Sequence, residues 1–187
     1  MRTFNITDYG AVESDLLQTK AIQAAIDDCF LAGGGEVVIP AGVYRTGGLR
    51  IRSNVTLHLL SGAILEGSRD PDDYNAWRED RLEPIDVPDK EPAKYRSALR
   101  TSRWNNAMIR AFDAHDFAII GEPGSIINGM NCFDPSGEEN YRGPHGINIW
   151  DCERVTLRGY TLRATGNWAH AIFRTKDLDI RGVTVQG

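Results

Sequence analysis

Short runs in which β-branched and other apolar residues alternate with polar ones dominate this chain, and the last two such segments are near copies. Residues 152–163 (CERVTLRGYTLR) return 23 residues later as 175–186 (TKDLDIRGVTVQ). In this alignment Val155 meets Leu178, Leu157 meets Ile180, Arg158 meets Arg181, Gly159 meets Gly182, Thr161 meets Thr184 and Leu162 meets Val185. Inward and outward positions both repeat. A period in the twenties, carried by alternating strands and punctuated by glycine, is the signature of stacked β-solenoid coils. Two unrelated amphipathic strands can match by accident, but weaker echoes upstream argue against it. Asn54-Val55-Thr56-Leu57-His58 and Asp116-Phe117-Ala118-Ile119-Ile120 share the pattern, and each leads through a glycine-bearing turn into a second strand (Ala63-Ile64-Leu65; Ser125-Ile126-Ile127). The expected fold is all-β, a right-handed parallel β-helix, with irregular spacing explained by insertions on one face.

The remaining pattern fills in this picture. Residues 3–9 read as a first strand. Over residues 18–31 the apolar positions Ile22, Ala25, Ile26, Cys29 and Phe30 fall on one face of a helix, stopped by Gly33-Gly34-Gly35. An amphipathic helix before the first coil covers the open end of a solenoid, as terminal repeats must, so it is assigned as the cap. Glu36-Val37-Val38-Ile39-Pro40 starts the strands, and Ala41-Gly42-Val43-Tyr44 reads as a turn leading to Leu49-Arg50-Ile51. Residues 69–105 are rich in charge and proline, with Trp77 and Trp104, and form either a flap over a binding groove or an ordered lobe on the side of the solenoid. A second polar insertion spans residues 130–143. The whole, residues 1–187, reads as a single β-helix domain, incomplete at its C-terminal end.

Composition narrows the class of partner. A chain of 187 residues with 41% hydrophobic content buries one core. Its net charge of −5 and lack of a basic stripe argue against nucleic acid. An anionic substrate stays open, because local arginine clusters bind carboxylates whatever the net charge. Arg2-Thr3-Phe4-Asn5-Ile6 is strand-like rather than an apolar signal core, and no later run reaches membrane-spanning length. No membrane partner is expected, and the chain is cytoplasmic as given, or secreted if it is a processed form. Cys29, Cys132 and Cys152 lack metal-ligand spacing and read as buried thiols.

The order of these motifs resembles a known family. Asp8-Tyr9-Gly10-Ala11-Val12, the helix TKAIQAAIDDC (19–29), GGGEVVIPAGVY (33–44) and SNVTLHLLSGAIL (53–65) are similar to the start of the polygalacturonase-type glycoside hydrolases, which are right-handed parallel β-helices. AFDAHDFAIIGEPGSIING (111–129) resembles that family's I-x-G-x-G-x-I-D-G coil, Arg142-Gly143-Pro144 stands near its Arg-Pro step, and Asn167-Trp168-Ala169-His170 resembles its S-P-x-W-x-x-H turn. The resemblance implies hydrolysis, with inversion, of pectic or other uronate-containing polysaccharide. One carboxylic acid protonates the leaving oxygen while a second carboxylate activates a water on the other side of the sugar.

The family's catalytic motifs, Asn-Thr-Asp, an Asp-Asp pair, Gly-His-Gly and Arg-Ile-Lys, are absent in the family's form. In family order they follow the Trp-x-x-His turn, where this chain has few residues left. Four near matches carry no catalytic role. Asp27-Asp28 lies on the cap helix and Asp72-Asp73 in the first insertion, while Gly143-Pro144-His145-Gly146 and Arg50-Ile51-Arg52 have the wrong residues in the wrong order. No catalytic residue is therefore identified. A solenoid coil with nothing above it exposes strand edges and an apolar end, so residues 170–187 are expected to be covered by a second copy, by a separate complementary chain or by further residues of the same protein.

Candidate substrate-binding residues remain. Trp168 and His170 either stack on and hydrogen-bond a sugar or fill the solenoid turn. Arg142, His145, Arg163 and Arg174 either form a cationic strip for uronate carboxylates or lie solvated on the surface. Asn148 and Asn167 read as turn or ladder residues, and His58 and His115 as structural. No cofactor and no required metal are expected, since Asp151, Glu153, Asp177 and Asp179 are spread over both faces by strand alternation. Two rival readings accompany the hydrolase: a β-helical polysaccharide lyase, and a non-catalytic β-helix that binds carbohydrate or oligomerises.

Overall fold

The structure is a computed structural model and describes residues 1–77 and 103–187. The expectation that Trp77 and Trp104 close over a groove concerns side chains outside the described residues, as does most of the first insertion. Among the described residues the chain forms one α-helix and fifteen parallel-paired strands, numbered in chain order. Sheet A contains β1 (Thr3–Asn5), β2 (Gly35–Ile39), β5 (Val55–Leu59), β8 (His115–Gly121), β11 (Glu153–Arg158) and β14 (Lys176–Arg181). Sheet B contains β3 (Gly42–Thr46), β6 (Ala63–Gly67), β9 (Ile126–Asn128), β12 (Thr161–Arg163) and β15 (Thr184–Gln186). Sheet C contains β4 (Leu49–Arg50), β7 (Ala107–Phe112), β10 (His145–Trp150) and β13 (His170–Phe173). From β4 onward the chain visits C, A and B in strict rotation, which makes it a right-handed parallel β-helix.

The internal repeat is the physical register of the strands. Val155 pairs with Leu178, Leu157 with Ile180, Thr161 with Thr184 and Leu162 with Val185. Because a one-residue slip turns every side chain to the other face, this register builds continuous inward columns. Val37, Leu57, Ile119, Leu157 and Ile180 form one in sheet A. Tyr44, Leu65, Ile127, Leu162 and Val185 form another in sheet B. Each column is sealed until its last member: Leu157 and Leu162 are fully buried, whereas Ile180 and Val185 are about half exposed (46% and 56%).

The opposite end is covered by α1 (Thr19–Leu31), which buries Ile22, Ala25, Ile26 and Cys29 against the first coil. Gln23 fixes the helix to β4 through reciprocal bonds, its Oε1 accepting from the Arg50 N–H at 2.8 Å and its Nε2 donating to the Arg50 carbonyl at 3.1 Å. Gly34 ends the connection at φ 111°, and a Cβ there would meet the Asn54 carbonyl at 2.5 Å, so no side chain fits. Helix length is bounded as the pattern predicts.

Two local expectations are corrected. The first strand stops at Asn5, because its side chain accepts the Thr7 N–H at 3.0 Å and a 3-10 turn follows over Ile6–Tyr9. The predicted turn at 41–44 is instead the start of β3, where Tyr44 is buried and pairs with Leu65. Among the described residues no helix is long and apolar enough to cross a membrane.

Candidate functional site

Three successive coils leave sheet B at equivalent corners. Since Glu66 pairs with Asn128 and Asn128 with Arg163, the residues two positions later, Ser68, Met130 and Thr165, stack along one edge of the solenoid. The second insertion projects from this edge. Its base is sewn to the next coil by the Asn131 N–H to Ala164 carbonyl bond at 2.7 Å and the Gly143 N–H to Gly166 carbonyl bond at 3.2 Å, and it closes on itself through an antiparallel bridge between Phe133 and Arg142.

Four of the candidate binding residues meet or lie near this corner. Asn167 Oδ1 accepts both from the Trp168 N–H at 3.0 Å and from Arg142 Nη1 at 3.3 Å. The Trp168 carbonyl accepts from the Gly146 N–H at 3.0 Å. With its backbone held on both sides, Trp168 remains 46% exposed as a residue, and the His145 ring lies beside its indole at a centroid distance of 5.9 Å. His145 itself is buried. Arg142 is oriented by Glu139, which accepts from its Nε at 2.9 Å, and by the Tyr141 ring 5.5 Å away. Tyr141 and Phe133 are exposed beside it, at 49% and 57%. Sequence reasoning passed over these two aromatics. Their signal was the presence of aromatic rings inside an otherwise polar insertion.

His170 starts β13 and sits on the inward column after Leu49, Ile109 and Ile147. Its Nε2 lies 2.9 Å from the Tyr160 hydroxyl, and burial pushes its pKa down, which favours the neutral ring. Arg174 lies elsewhere. It follows β13 at the far end of sheet C and is clasped by Asp151. Arg163 ends β12 just before the corner and has no ion pair among the described residues. The four basic groups therefore do not form one continuous strip: Arg142, His145 and Arg163 flank the corner, and Arg174 is across the sheet from them.

The outward face of sheet C is itself buried. Met108, Arg110, Phe112, Asn148 and Trp150 are each at most 5% exposed. The Arg110 guanidinium lies 4.5 Å from the Phe112 ring centre, Trp150 stacks on Phe173 at 4.3 Å, and Asn148 Nδ2 donates to the Asn105 carbonyl at 3.1 Å. Asn148 is thus a ladder residue with a polar partner.

Many of the described carboxylates are occupied. Asp134 is bound by Arg103, Asp151 by Arg174 and Asp27 by Arg52, and Asp28 accepts from the Tyr9 hydroxyl. Asp72 pairs with Arg103 and Asp73 accepts from Ser68 Oγ. The hydrogen bonds of Tyr141 and Arg142 hold Glu139 below its ordinary pKa, and those of Arg154 and His115 do the same for Asp116. This is opposite to what a proton-donating glycosidase acid needs. His58 bridges Glu36 and Glu122, and His115 pairs with Asp116, both on sheet A. Among the described residues no group of three or more His, Cys, Asp or Glu side chains is placed to hold a metal ion.

No protein-family model matches the sequence. The exo-poly-alpha-D-galacturonosidase of Dickeya chrysanthemi is 47% identical over 74 residues, covering 39% of this chain and 12% of that protein. The family 28 exopolygalacturonase of Yersinia enterocolitica superposes over 98% of this chain and 38% of its own, with a TM-score of 0.73 at 25% identity. The chain is polygalacturonase-like. The mannuronan C5-epimerase AlgE5 of Azotobacter vinelandii is also similar, 46% identical over 66 residues, or 35% of this chain and 7% of that one. This polygalacturonase-like chain spans well under half the length of these relatives.

Proposed function

We propose that this chain supplies the capped end and one polysaccharide-binding edge of a polygalacturonase-like glycoside hydrolase acting on pectic, uronate-containing chains. The observation that carries the reading is the corner at Trp168: an exposed indole, fixed through both its backbone groups, next to an oriented Arg142 and two further exposed rings. Aromatic faces take the apolar face of a sugar, and a guanidinium takes its carboxylate. The carboxylates of Asp27, Asp28, Asp72, Asp73, Asp116, Asp134, Glu139 and Asp151 are each engaged by arginine, tyrosine or serine side chains, which supports reading this edge as one that binds and orients rather than as the acid–base pair that cleavage requires.

The test is release of reducing ends from polygalacturonate and rhamnogalacturonan, paired with calorimetric binding of oligogalacturonides. Binding that weakens roughly two- to tenfold in Trp168→Ala supports the reading. A wild-type chain that binds neither polymer sinks it.

The likeness to the mannuronan epimerase favours a second reading, a β-helical lyase or related uronate enzyme. Unsaturated products from polyuronate would select it over hydrolysis. The exposed inward residues of the last coil support a further proposal on partners: this end docks onto another β-helical surface, a second copy or a complementary chain.

A further inference from the structure

Two coils before Trp168, the same edge opens into a pocket of about 530 Å³, within the ~300–1,000 Å³ usual for small-molecule sites. Its polar wall comprises Asp15, Arg45, Ser68, Arg69, Asp70 and Asp73. Most of these groups are already engaged. Arg45 Nη2 binds Glu66 at 2.9 Å and Asp15 at 3.5 Å. Asp73 accepts from Ser68 Oγ, and Asp70 Oδ1 accepts the Asp72 N–H at 2.9 Å.

Arg69 is different. Its main chain is fixed, with Cys132 Sγ donating to its carbonyl at 3.4 Å and the Tyr74 hydroxyl holding the neighbouring Ser68 carbonyl at 2.6 Å. Its exposed guanidinium has no ion pair or hydrogen bond among the described residues. The pocket thus combines one unengaged guanidinium with carboxylates that keep spare acceptor positions.

We propose that this pocket is a subsite for a single uronate ring, in which Arg69 reads the sugar carboxylate and Asp15 and Asp70 accept from its hydroxyls. The proposal deepens the polysaccharide-binding reading above and rests on it. A neutral sugar makes no ion pair with Arg69. A doubly charged phosphate brings no hydroxyl pair for three nearby aspartates and is repelled by them. A uronate has one negative charge and several donors, which matches both. Ser68, Met130 and Thr165 stand on consecutive coils, so at ~4.8 Å per coil the pocket lies about 10 Å along the axis from the Trp168 corner. One chain lying along the edge reaches both.

The experiment titrates wild type, Arg69→Gln and Trp168→Ala with an oligogalacturonide and with its methyl ester, by calorimetry and by amide chemical shifts. Arg69→Gln is expected to weaken the acid form about tenfold and to leave the ester unchanged. Trp168→Ala weakens both forms alike. Unchanged binding of the acid form in Arg69→Gln, with weakening in Trp168→Ala, overturns the subsite and leaves the polysaccharide reading standing. If wild type binds neither oligomer, that reading falls, and free galacturonate then tests the pocket alone. Shifts at the Ser68 and Asp70 amides in wild type but not in Arg69→Gln support it, and their absence overturns it. Displacement of galacturonate by equimolar inorganic phosphate overturns the uronate assignment.

Discussion

The guanidinium of Arg174 is clasped by Asp151 of the preceding coil, Nε to Oδ1 at 2.5 Å and Nη2 to Oδ2 at 2.6 Å. Both residues occupy the same corner slot, because Trp150 pairs with Phe173 directly before them. A cation spent on its own scaffold is poorly placed to receive a substrate carboxylate. Arg174→Gln is expected to leave oligogalacturonide affinity within twofold of wild type and to change stability by about 1 kcal/mol or less, since the pair is partly exposed and screened. Calorimetry together with urea unfolding checks both.

His170 gives the fold a pH signature. Burial lowers its folded-state pKa below the ordinary histidine value of about 6.5, so the unfolded chain binds the proton more tightly. Its contribution to stability is complete above that value and is lost as pH falls from there towards the lower folded-state pKa. Unfolding midpoints measured across this interval should decline on the acid side for wild type, with a shallower decline for His170→Gln.

Gly159 and Gly182 share a slot one coil apart, and substitution should separate them. At Gly159 φ is 80° and a Cβ would stand 2.2 Å from the Gly121 carbonyl, whereas at Gly182 φ is 60° and the nearest atom is at 4.0 Å. Gly182→Ala should cost only the left-handed backbone, about 1 kcal/mol. Gly159→Ala should cost about 2 kcal/mol or more, because backbone must move. Denaturant midpoints at matched slope distinguish the two.

At the open end, Leu178, Ile180 and Val185 continue the core columns into solvent. If this end docks, Ile180→Lys should reduce the sedimentation coefficient of the wild-type assembly to that of a monomer, without altering the far-UV dichroism. A wild type that sediments as a monomer at every concentration, in the absence of any complementary chain, removes the self-association half of the proposal.

The coil stack was legible because its cause is local in sequence. Val155, Leu157 and Leu162 recur as Leu178, Ile180 and Val185, and the same alternation that marks a strand also fixes its register. β3 was misread because Val43-Tyr44-Arg45-Thr46 is too short to show alternation clearly and follows Pro40-Ala41-Gly42, a strong turn signal. At the corner, Trp168, Arg142 and His145 were legible as residues that come together, but their depth was not. His145 is buried and Trp168 is not, a difference that exists only in the folded stack. Arg69 could not be singled out at all. Its distinguishing property is the lack of a partner among the described residues, and that exists only once Arg45 and Arg103 have taken theirs.

The strict C, A, B rotation also makes this molecule a ruler. Side chains at equivalent slots along the Ser68, Met130 and Thr165 edge are graduated at one strand spacing. A linear ligand lying along that edge therefore has discrete berths. Moving it by one coil exchanges one set of neighbours for the next, so its preferred position is decided by the few graduations, such as Arg69 and Trp168, that differ from the rest.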